Sequence, residues 1–61
     1  MEGQEGEEFY LLSGRARFAM EDYAGAAEQF LKVEDKALPQ LEHCYEQLGD
    51  YKMAYYYAKK Q

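Results

Sequence analysis

The pattern Asp-Tyr-x-x-Ala occurs twice in this chain, as Asp22-Tyr23-Ala24-Gly25-Ala26 and as Asp50-Tyr51-Lys52-Met53-Ala54. Each copy follows one stretch of helical periodicity and opens another. An aspartate in that place is suited to an N-cap, where its carboxylate takes up amide protons that the first helical turn leaves without partners. The aromatic and the small residue three positions on then share a face of the new helix, which turns back onto the preceding one. Tyr23 and Tyr51 stand 28 positions apart, within the range of recurrence that marks stacked helical units rather than one irregular core. A binding scaffold is favoured over an enzyme by that pattern alone.

A chain of 61 residues forms one domain at most, because a domain of this size buries only about 60% of its unfolded surface and keeps a thin margin of stability. Hydrophobic residues make up 48% and aromatics 16%, enough to fold despite a mean hydropathy of −0.77. Seven tyrosines and no tryptophan supply amphipathic rings that tolerate a half-wet interface. The net charge of −5 with only seven Lys and Arg, scattered from Arg15 to Lys60, excludes a phosphate-neutralising face and makes basic peptides more natural ligands than nucleic acid. Cys44 is the single cysteine, so no internal disulfide forms and an intracellular, by default cytoplasmic, setting is expected. No apolar run approaches the length of a membrane span, and the acidic start is unlike a secretory signal. No membrane partner is expected.

Residues 1–6 read as a flexible acidic lead-in to a helical domain over 7–61. A first helix is expected over about 7–20, with Phe9, Leu12, Ala16 and Ala19 as its apolar line and Tyr10 and Gly14 alongside. A second, over about 23–33, places Tyr23, Ala26, Ala27, Phe30 and Val33 on one face. Pro39 belongs in the first turn of a third helix over 38–48, where its missing amide costs nothing. Leu38, Leu41, Tyr45 and Leu48 form that helix's apolar line. Gly49 suits the left-handed residue that closes it, and Asp50 caps a fourth helix over 51–61 with Tyr51, Ala54, Tyr55 and Ala58 along one side. Tyr56 and Tyr57 spread aromatic surface to the other sides of this helix. Tyr51, Tyr55, Tyr56 and Tyr57 are therefore expected to meet either the next repeat of a longer solenoid or a second copy in a homodimer.

These residues resemble the tetratricopeptide repeat (TPR) family, whose paired helices alternate large and small residues. In the first repeat the likeness lies in Tyr10, Gly14, Tyr23, Ala26 and Phe30; in the second it lies in Leu41, Tyr45, Gly49, Asp50, Tyr51 and Ala54. Ser13 stands where the family has leucine, Glu42 stands at a small-residue position, and the closing proline is absent, so the repeats are irregular. The resemblance implies an all-α fold of antiparallel helical hairpins, about four short helices forming a right-handed solenoid fragment. It also implies a partner-binding groove lined by the first helix of each pair, here Leu11, Arg15, Phe18, His43, Glu46 and Gln47. Arg15 would hold a carboxylate, Leu11 and Phe18 an apolar group, and Glu46 a basic side chain. The Lys and Asn set with which the family's chaperone-tail binders hold their ligand is not present.

Catalytic signals are weak. His43 and Cys44 are adjacent, which turns them about 100° apart on a helix and prevents their acting as base and nucleophile. Cys44 beside Leu41 and Tyr45 reads as a small buried hydrophobe. Glu42, His43 and Glu46 lack the further ligands of a metal site, and no phosphate loop or nucleophile elbow occurs. No catalysis, cofactor or metal is expected. The expected role is protein–protein interaction within a larger assembly, the alternative being a self-associating helical hairpin that serves as a dimerisation module.

Overall fold

The computed structural model describes the backbone of residues 2–61 and the side chains of residues 6–61. Among these residues the fold is all-α, with four helices: α1 Glu2–Ala19, α2 Tyr23–Leu31, α3 Leu38–Leu48 and α4 Tyr51–Lys60, and a 3₁₀ turn over Glu34–Lys36 between α2 and α3. Each helix packs on the next in chain order, α1 on α2, α2 on α3 and α3 on α4. α1 and α4 are therefore the outer members of the array.

Two joins of the same construction make the hairpins. At the first, the Glu21 amide donates to the Phe18 carbonyl at 2.9 Å and the Asp22 amide to the Arg17 carbonyl at 2.8 Å. At the second, the Gly49 amide donates to Glu46 at 3.1 Å and the Asp50 amide to Tyr45 at 2.8 Å. This is the pair of bonds by which a left-handed residue satisfies the last carbonyls of a helix. The aspartate that follows then caps the next helix: Asp22 accepts from the Gly25 amide at 3.1 Å and Asp50 from the Met53 amide at 3.3 Å. The repeated motif is thus a repeated turn.

The copies differ at the left-handed position, where Gly49 has φ 81° and Glu21 has φ 65°. A side chain in that region meets its own backbone, a cost glycine does not bear. Glu21→Gly is expected to stabilise the chain by about 0.5–1 kcal/mol and raise the melting temperature by roughly 2–8 °C, followed by circular dichroism. A lower melting temperature would contradict the equivalence of the two joins.

The core is formed by Ala26, Ala27, Phe30 and Val33 of the second segment, Ala37 of the connection, Leu41 and Cys44 of α3, and Ala54 and Tyr57 of α4. Tyr10, Leu11, Phe18, Leu38, Tyr45 and Met53 pack against it. Gly14 is buried because α1 crosses α2 there: a Cβ at residue 14 would stand 2.6 Å from Cε1 of Phe30. Positions 42 and 58, one repeat later, hold Glu and Ala, so the large and small residues have changed helices.

Several expectations are corrected. α1 starts at Glu2, so residues 2–6 of the expected lead-in belong to its first turns, and Met1 lies outside the described residues. Glutamates favour the positive end of a helix, which is the physical reason an acidic start is compatible with helix. α2 ends at Leu31 and is followed by the 3₁₀ turn, whose flanking Val33 and Ala37 are buried. On α1 the line Phe9, Leu12, Ala16 and Ala19 faces solvent, and Tyr10, Leu11, Gly14 and Phe18 face the core. On α4 the inward residues are Met53, Ala54 and Tyr57, not Tyr51 and Tyr55. Leu48 is likewise exposed at the end of α3.

Cys44 is fully buried, and burial pushes its thiol from 9.0 up to about 11. Burial, then the nearby Glu34 carboxylate, pushes the Tyr57 phenol from 10.0 up to about 12. The folded chain holds both protons to higher pH than the unfolded chain does. Their stabilising contribution is therefore complete below pH 9, falls first through Cys44 between 9 and 11, then through Tyr57 between 10 and 12. The urea midpoint is expected to fall from pH 8 to 11, and Cys44→Ala is expected to delay the start of that fall by about one pH unit. A flat profile would contradict the burial of the thiol proton.

Candidate partner-binding groove

α1 and α3 are the first helices of the two hairpins, and α2 lies behind both. Where Gly14 lets α1 approach α2, the Phe30 ring fills the space and forms an apolar floor. Above it opens a cavity of about 120 Å³ lined by Arg15, Phe18, Phe30, Gln40 and His43. Arg15 and Phe18 lie on α1 at a three-residue step, and Gln40 and His43 lie on α3 at the same step, so each helix presents one turn to the opening. Phe18 is held in place by an edge-to-face contact with Tyr23, with ring centroids 4.9 Å apart.

The polar groups at the rim are of complementary kinds. Among the described residues the ion pair formed is Arg17 with Asp22 at 3.2 Å. Arg15 has no carboxylate in range there and is exposed. His43 is exposed across from it. The Gln40 side-chain oxygen is buried and accepts no hydrogen bond, a state that costs roughly 1–3 kcal/mol. The site therefore combines an apolar pocket with a cation at its rim.

Of the six residues placed in the groove from the sequence, Arg15, Phe18 and His43 meet at this cavity. Leu11 packs against the core instead, because it shares the inward face of α1 with Gly14. Glu46 and Gln47 are exposed in the last turn of α3 and do not line the cavity. Phe30 and Gln40 complete it. Gln40 was legible as the residue three positions before His43, on the same face of α3. Phe30 carried only a core signal, since its second role depends on the gap left by Gly14.

The four tyrosines assigned to an association face divide. Tyr51, Tyr55 and Tyr56 are exposed, whereas Tyr57 is buried and stacks on Tyr45, with centroids 5.7 Å apart and planes 4° apart. Tyr57 falls three residues after Ala54 and so continues the inward line of α4. The described residues hold no cluster of three or more His, Cys, Asp or Glu able to take a metal ion. No helix among them is long and apolar enough to cross a membrane. Comparison with known protein families, curated proteins and solved structures finds no match.

Proposed function

We propose that the chain is a non-catalytic protein-interaction module of irregular tetratricopeptide type, part of a larger assembly, which receives a partner segment in the groove between α1 and α3. The observation that carries this reading is the cavity in which Arg15, Phe18 and His43, from separate hairpins, meet over the Phe30 ring. An aliphatic side chain of leucine size fits the apolar floor. An adjacent Asp or Glu of the partner pairs with Arg15, which offers directional hydrogen bonds to a carboxylate. The ligand is thus a peptide or helix with an apolar anchor beside an acid, in place of the basic peptide that the chain's overall negative charge suggests, because the local cation decides the contact.

Arg15→Glu tests this against an array of helical peptides carrying Leu next to Asp or Glu. Peptides that bind the unsubstituted chain are expected to bind the variant at least about tenfold more weakly, equivalent to about 1.4 kcal/mol, with helicity unchanged because residue 15 is exposed. Equal affinity for both chains would remove the groove from the binding surface.

A further inference from the structure

The two outer helices carry unlike unpartnered faces. On α1, Phe9 is 63% and Leu12 61% exposed, and Ala16 and Ala19 continue their line at steps of four and three residues. Glu8 is exposed at its margin near the start of α1, and Arg15 and Arg17 are exposed toward the other end of that helix. On α4, Tyr51 is 71% and Tyr55 67% exposed, flanked by exposed Lys52 and Lys59, with the Lys59 ammonium 5.3 Å from the Tyr55 ring centroid. One face is apolar with an acidic margin at its N-terminal end, the other aromatic and basic.

We infer that these faces dock on each other between copies, α1 of one chain on α4 of a second, in a head-to-tail contact that leaves a free face at each end. Charge selects this arrangement. Pairing α4 with α4 would set Lys52 and Lys59 against their own kind in either direction, whereas α1 on α4 brings the exposed Glu8 to those lysines at the margin of an apolar strip. The chain already contains the same junction: α2, the second helix of one hairpin, packs on α3, the first helix of the next. α4 of one copy against α1 of another repeats that order. Such a contact is heterologous, so association proceeds beyond two copies instead of closing as a symmetric dimer. The inference does not rest on the α1–α3 groove, which uses other residues.

Sedimentation velocity over a hundredfold concentration range tests it, with two variants altered only at exposed positions. One carries Phe9→Lys with Leu12→Lys; the other carries Tyr51→Glu with Tyr55→Glu. The unsubstituted chain is expected to grow in mass past the dimer, and each variant is expected to self-associate at least tenfold more weakly. An equimolar mixture of the two variants is expected to form a one-to-one pair that grows no further, since each retains the face the other has lost. Circular dichroism confirms helicity, and serine at the same positions replaces either charged pair that unfolds. A chain that is monomeric throughout, an α1 variant that still dimerises, or a mixture that stays monomeric would each overturn the inference.

Discussion

Phe30→Ala is expected to abolish cooperative folding of this chain at 25 °C. Phe30 is 1% exposed and stands at the centre of the core, against Gly14 on α1 and beneath the groove. Emptying such a site typically costs about 3–5 kcal/mol, made up of lost transfer energy and an unfilled cavity. A domain of this length holds roughly 3–9 kcal/mol in all, and a stability toward the lower end of that range, where so small a core places this chain, is consumed by the loss. The expected readout is a helical signal in circular dichroism that is weak at 25 °C and declines on heating without a sigmoid. Gly14→Leu in the same chain returns apolar volume to the gap from the opposite helix. The double variant is therefore expected to be more stable than Phe30→Ala, although Gly14→Leu alone is destabilising because even its Cβ meets the Phe30 ring. A sharp, near-normal transition for Phe30→Ala would show that α1 and α2 are not held together at this point.

Tyr57→Ala is expected to cost about 3 kcal/mol, while Tyr51→Ala and Tyr55→Ala change the stability of the monomer by no more than about 0.5 kcal/mol. The three rings lie within seven residues of one helix, and only Tyr57 is inside it, 2% exposed and stacked on Tyr45. Removing it opens a cavity between α3 and α4 and forfeits an aromatic pair worth about 0.5–1.5 kcal/mol beyond its area. Urea melts at a concentration low enough to keep the chain monomeric separate the two classes. Equal effects of all three substitutions would mean that α4 does not present a single face to α3.

The groove stands midway between what local pattern reveals and what it hides. Arg15, Phe18 and His43 come together because α1 and α3 both pack on α2, and the hairpin joins that the recurring aspartates signal turn each helix back on the one before it. Leu11 is lost to the core because its place on α1 follows from which side of that helix Gly14 occupies. The four helices, the left-handed closures at Glu21 and Gly49 and the aspartate caps depend on residues within about five positions of each other, so their chemistry is complete in the sequence. The inward faces of α1 and α4 are different in kind. Phe9-Leu12-Ala16-Ala19 and Tyr10-Leu11-Gly14-Phe18 both recur at helical spacing, and periodicity weighs them equally. The choice falls to the second set because Gly14 is the place where α1 can approach the Phe30 ring, a fit of volumes across two helices that exists only once they are packed. Tyr57 goes inward for the same reason, against Tyr45, and Tyr51 and Tyr55 are left to the solvent side. Turn and cap chemistry acts locally and determined where this chain bends; steric complementarity acts between distant residues and decided which surfaces it hides and which it offers.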